Sequence, residues 1–159
     1  MDTAVLAVVN VSPPRRWFGI GVLIAMGALL LWMTLLRASS APPGWQAFLL
    51  ATGLGTLWLA LRMYRATAER IELTEGGLHS SDGREIAAMA EILSVDRGAL
   101  AFKPSNGFLL RTRSRHPLAW EPGLWWRIGR RVGVGGVTAA AQTKAMADIL
   151  GARLAEARR

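Results

Sequence analysis

Residues 17–36 carry no charged side chain: Trp17, Phe18, Ile20, Val22, Leu23 and Ile24 open an apolar run that continues to Leu35 and Leu36. About 20 such residues, rising about 1.5 Å each as a helix, cross the roughly 30 Å hydrocarbon layer of a bilayer. A second apolar run, residues 45–61, ends at Arg62, whose aliphatic stem can return its charge to the headgroups. Between the runs, residues 37–44 include Pro42, Pro43 and Gly44, which cannot continue a helix. The pattern predicts a transmembrane helical hairpin over 17–64, with spans 17–36 and 45–61 and an outward turn at 37–44. The rival for the first run is a cleaved signal peptide. It is disfavoured because the run is long, Arg15 and Arg16 come late, and no small-residue cleavage site follows.

From residue 65 onward the period changes. Arg70, Ile71, Glu72, Leu73, Thr74 and Glu75 alternate polar with apolar, as a half-buried strand does. Ser80, Ser81, Asp82 and Gly83 supply a tight turn before Arg84, Glu85 and Ile86. Ile92, Leu93 and Val95 read as a further strand, and 99–102 as another apolar run. Asn106-Gly107 is the clearest hairpin signal, because that pair accepts the positive φ of a primed turn. At the end the period becomes helical: Met146, Ile149, Leu150 and Leu154 share one face of a helix expected at about 139–158. Short strands followed by one amphipathic helix predict an α+β domain over 65–159, a small bent sheet or barrel closed by the helix. Residues 1–16 read as an N-terminal tail.

Charge adds an orientation. Arg15 and Arg16 precede the first span, Arg62, Arg65 and Arg70 follow the second, and the loop between holds Arg37 alone. Arginine-rich flanks stay in the cytoplasm. Both termini are therefore expected there. Small residues recur at four-residue spacing, Gly21 with Ala25 and Ala47 with Ala51 and Gly55. Such stripes let helix backbones approach closely, either within the hairpin or against another membrane subunit. Neither span contains Asp, Glu, Lys or His, so no side chain there could relay protons or line an ion path.

The whole chain has 159 residues, 19 Lys and Arg against 11 Asp and Glu, and no cysteine, which excludes disulfides, thiol nucleophiles and cysteine-held metals. Two histidines without ligand spacing leave no metal or other cofactor indicated. The histidines, His79 near Ser80 and Asp82, and His116 before Pro117, are more economically read as turn residues bonded locally than as a catalytic set. Gly129, Gly133, Gly135 and Gly136 lack the following Lys and Ser/Thr of a phosphate loop and read as bends of a curved sheet. The candidate functional surface is Trp120, Trp125 and Trp126 with Arg127, Arg130 and Arg131. Between Arg111 and Arg131 six arginines face a single acid, Glu121. Indoles at headgroup level with neighbouring guanidiniums suit an anionic leaflet. Core packing of the tryptophans and contact with a protein partner are the competing readings, and nucleic acid is disfavoured in a membrane-tethered domain.

The order of two spans and then a strand resembling Ile71-Glu-Leu-Thr-Glu-Gly-Gly-Leu78 is similar to that of small bacterial membrane proteins with a pleckstrin-homology-like cytoplasmic domain. The stretches 102–108 and 122–136 also resemble those of uncharacterised alphaproteobacterial proteins of this layout. The resemblance implies a seven-stranded bent sheet capped by a C-terminal helix, and no catalytic residues. The expected function is a non-enzymatic membrane-anchored binding module, an adaptor or assembly factor touching anionic headgroups, a membrane-protein partner, or both. The alternative is a small accessory subunit of a larger respiratory, photosynthetic or transport complex.

Overall fold

The computed structural model describes residues 4–36, 42–97 and 104–157. Two helices, α1 (Pro13–Leu36) and α2 (Pro43–Ala66), are followed by strands β2 (Ile71–Thr74), β3 (Gly77–Ser80) and β4 (Glu85–Ala88) and a short 3-10 turn, Met89–Glu91. Strands β5 (Ile92–Asp96), β6 (Phe108–Glu121) and β7 (Trp125–Val134) and helix α3 (Ala140–Glu156) complete the chain. The seventh strand comes first. Strand β1 (Val5–Val9) lies before α1, in the segment expected to be a tail.

β1 pairs antiparallel with β2, with Val9 opposite Ile71 and Val8 opposite Glu72. The described strands thus form an antiparallel sheet of order β1-β2-β3-β4 and a second of order β5-β6-β7. The correction to residues 1–16 has a physical cause. Val9 is fully buried among Ile71, Leu73, Leu78, Ile86, Phe108, Leu124, Met146 and Leu150, so β1 is a wall of the core. Just after it, the Ser12 amide donates to the Val137 carbonyl at 2.7 Å and the Ala139 amide to the Asn10 carbonyl at 3.0 Å. The apolar helices are therefore an excursion between two hydrogen-bonded strands. The outward turn and the run 99–102 fall largely or wholly outside the described residues.

Each of α1 and α2 is long and apolar enough to cross a bilayer, with mean hydropathy 2.3 and 1.3. Only 11% and 17% of those stretches are buried, unlike the core helices of a water-soluble protein. The helices extend beyond the apolar runs: α1 starts at Pro13, where proline suits a first turn, and α2 reaches Ala66. They meet at Gly27 and Gly53. A Cβ on Gly27 would stand 2.7 Å from Leu57, and one on Gly53 would stand 3.0 Å from Leu31. The five residues expected to make this contact do not. Gly21, Ala25, Ala47, Ala51 and Gly55 all face away from the partner helix and are exposed, and nothing lies within 4 Å of a Cβ built on Gly21 or Gly55. The true contact stripe runs through Ile20, Gly27, Leu49, Gly53, Ala60 and Met63.

Two predictions follow from this packing. A fragment beginning at Ala66 lacks β1 and forfeits Val9 burial and the β1–β2 ladder, a loss on the order of 3–5 kcal/mol. It should fail to melt cooperatively, whereas residues 4–12 joined by a flexible linker to 67–157 should do so; equal melting of both would refute the insertion. In the intact protein, Gly27→Leu or Gly53→Leu should lower the melting temperature in detergent through overpacking of about 1–3 kcal/mol. Gly21→Leu and Gly55→Leu should leave it unchanged.

Candidate functional site

β6 and β7 form a long ribbon that bends across the domain. Phe108 pairs with Val134 and Arg111 with Arg131 at one end, and Trp120 pairs with Trp126 and Glu121 with Trp125 at the other. Between the pairs Arg111–Arg131 and His116–Gly129, β6 spends four residues against one on β7, so Arg113, Ser114 and Arg115 bulge outward, exposed. Bulges of this kind bend a strand and tighten its twist. Gly129 lies opposite at φ 58°, which a side chain rarely adopts. The bend brings the Trp126 indole against Gly133, where a Cβ would collide with the ring. The glycines of β7 thus serve curvature and close packing.

The sequence-derived cluster divides between two faces. Neighbouring strand residues point to opposite sides. Trp125 is 2% exposed and belongs to the core, so it offers no membrane or partner contact. Trp126 is half-buried against Gly133. Arg127 shares the inner face with Trp125 and its guanidinium is committed to backbone. Nη1 donates to the carbonyls of Glu85 at 3.3 Å and Ile86 at 3.1 Å, and Nε donates to that of Pro117 at 3.3 Å. These bonds satisfy carbonyls on β4, the last strand of its sheet, and join the two sheets. Arg127 is therefore a structural clamp, a correction to its expected contact with headgroups. Trp120, Arg130 and Arg131 are exposed, as a contact surface requires.

The single acid of the stretch is also engaged. Glu121 accepts from Arg84 Nη1 at 2.7 Å while Arg84 Nε donates to Asp82 at 2.5 Å, and the guanidinium lies 6.0 Å from the centre of the Trp125 ring. The hydrogen bond to Glu121 is the main cause that raises the Arg84 pKa. For Asp82, partial burial pushes the carboxyl up, but the bonds from the Arg84 amide and guanidinium outweigh it and hold the pKa below its ordinary value. Glu91 is lowered by its hydrogen bonds with Ser114, whose amide donates at 2.9 Å. His79 Nδ1 lies 3.2 Å from the Gly77 carbonyl and 3.4 Å from Thr74 Oγ1, local contacts within its own turn. Among the described residues no group of three or more His, Cys, Asp and Glu could hold a metal ion.

Sequence reasoning missed the residues that complete the exposed face. Leu118 is 75% exposed and Ile128 58%, beside Trp120 at 46%. This end of the ribbon stands at the root of α2. Arg62 Nη2 donates to the Trp120 carbonyl at 2.9 Å, and its guanidinium lies 5.5 Å from the centre of the Trp58 ring. At the same root, Arg16 Nη2 donates to the Tyr64 carbonyl at 3.1 Å and its guanidinium lies beside both Trp17 and Tyr64, 5.5 Å and 5.1 Å from the ring centres. Arg15 Nη1 reaches the Thr138 carbonyl at 3.2 Å.

The division of the arginines is testable. Arg127→Ala strips the partner from the Ile86 carbonyl of a buried residue, with the links to Glu85 and Pro117, and should cost about 1–3 kcal/mol in thermal unfolding. Arg130→Ala and Arg131→Ala should stay within about 0.5 kcal/mol of the parent, as exposed substitutions do. Equal, small effects at all three positions would remove the clamp. No family model, curated protein or solved structure matches this chain, so the reading of its function rests on its own geometry.

Proposed function

We propose that this chain is a membrane-anchored binding module, an adaptor or assembly factor without catalytic activity. Its α1–α2 hairpin crosses the bacterial inner membrane, and its folded domain lies against the cytoplasmic leaflet. The observation that carries the reading is the Arg62–Trp120 bond, which sets the exposed Leu118, Trp120 and Ile128 beside the charged end of an apolar helix. Amphipathic indole rings favour the interfacial layer, and so do Trp17 and Tyr64 at the same root. The mostly exposed apolar surface of the helices supports a lipid surround. The β1–β2 pairing keeps both ends of the hairpin on one side. The arginines that flank it, Arg15, Arg16, Arg62 and Arg65, favour the cytoplasm as that side. The succession of a four-stranded sheet, a three-stranded sheet and a closing helix supports a pleckstrin-homology-like domain, here with the hairpin inserted between its first two strands.

The accessory-subunit reading draws on a different observation, the outward-facing Gly21, Ala25, Ala47, Ala51 and Gly55. On that reading Gly55→Leu releases a stoichiometric partner without loosening the hairpin.

The absence of cysteine allows single-site labelling against a clean background. With a spin label at Leu118→Cys or Ile128→Cys in reconstituted bilayers, collisions with oxygen should exceed those with a water-soluble nickel chelate. A label at Ala152→Cys on α3 should show the reverse. Labels at 118 and 128 as aqueous as that at 152 would defeat the apposition of this face to the leaflet.

A further inference from the structure

A second face of the ribbon, away from the Trp120 end, places like charges together. Arg111 on β6 stands directly opposite Arg131 on β7, and on its other side Arg111 pairs with Ser94 of β5. Directly opposed residues of antiparallel strands share a face with Cβ atoms about 5 Å apart, and like charges so placed destabilise the pairing. Arg130 lines the same open concavity of about 450 Å³ as Arg111, Arg131, Ser94 and Thr112. No acidic residue lines it. Glu121 and Asp82 are held by Arg84, and Glu91 accepts from the Ser114 amide. Among the described residues none of the three guanidiniums makes an ion pair.

Arg111 and Arg131, fixed opposite each other by strand register, and Arg130, which lines the same concavity, create a positive potential that an anion relieves. Guanidinium forks match phosphate oxygens bidentately, and a neighbouring serine hydroxyl adds a neutral donor. We infer that Arg111, Arg130 and Arg131, with Ser94, form a binding site for a phosphate-class dianion, presented either free in solution or on a lipid headgroup. The site lies on the outer face of β5-β6-β7, and its existence does not depend on the Leu118–Trp120–Ile128 face meeting the membrane.

The test uses the intact protein. In an uncharged detergent at low ionic strength, inorganic pyrophosphate should raise the melting temperature in a saturable way. In parallel, nanodiscs of phosphatidylcholine alone are compared with an equal mixture of phosphatidylcholine and phosphatidic acid. Arg131→Glu sets a carboxylate opposite Arg111, so it should raise the basal melting temperature and abolish the ligand-induced rise. Arg111→Gln, which keeps a polar side chain but neither the charge nor the reach, should weaken pyrophosphate binding about tenfold, the loss of one charge-assisted contact. A rise with pyrophosphate that Arg131→Glu removes identifies a free phosphate ligand. A rise confined to phosphatidic acid, and again removed by Arg131→Glu, identifies a headgroup. No rise with either probe overturns the site, as does an equal rise in the parent and both variants.

Discussion

The pairing of β1 with β2 constrains everything else in this molecule. The two strands are separated in sequence by the whole of α1 and α2, yet Val9 and Ile71 face each other and both are fully buried. An excursion between hydrogen-bonded neighbours must return to where it left. The roots of the two helices are therefore side by side, joined by Arg16 on the Tyr64 carbonyl. The entry to α1 is stitched to the chain preceding α3 by Ser12, Asn10 and Arg15, and the exit of α2 is held by Arg62 on β6. With both roots fastened, one face of the domain is always presented to whatever surrounds the helix ends. A domain hung from a single flexible tether would have no such preference.

The arginine excess of β6 and β7 has three distinct uses in one stretch of sequence. Arg127 is turned inward onto the carbonyls of β4, where it closes an otherwise open sheet edge. Arg84, from another turn, takes the only acid of the stretch. Arg111, Arg130 and Arg131 are left facing water, without the counter-charge that the linear sequence places ten residues or fewer from each of them. Net charge alone does not distinguish these uses, since the stretch is equally basic whichever way each side chain points. Register does.

Much of the architecture was legible in the sequence because it depends on local patterns. The apolar runs ended at charges and prolines, so the helices were placed to within five residues at each end, and α3 followed from the spacing of Met146, Leu150 and Leu154. Strand β1 was not legible: Val5, Leu6, Ala7, Val8 and Val9 neither alternate nor precede a turn, and their partner lies beyond two helices. The small-residue stripes misled for a related reason. Gly21, Ala25, Ala47, Ala51 and Gly55 have the right spacing for close approach, but so does Gly27 against Gly53, and only rotation about the helix axes decides between them. In the site, a simple signal was available. Adjacent residues of a strand point to opposite faces, so Trp125 and Trp126 could not both be surface, and Arg127 had to follow Trp125.

The β6–β7 ribbon serves two surfaces, and its bend sets how they are held relative to the helices and to β5. In a straight, strictly alternating ribbon the pairs Arg111–Arg131 and Trp120–Trp126, an odd number of residues apart on each strand, would already lie on opposite faces. The extra residues of β6 between Arg111 and His116, with Gly129 at positive φ opposite, bend the ribbon between the two pairs. The Trp126 indole then folds onto Gly133 and fills the inside of the bend. The apolar end stays beside the root of α2, while the arginine end joins β5 and its Ser94. A side chain at Gly133 would force the indole out and loosen the bend, so the curvature between the two ends rests on a residue that belongs to neither.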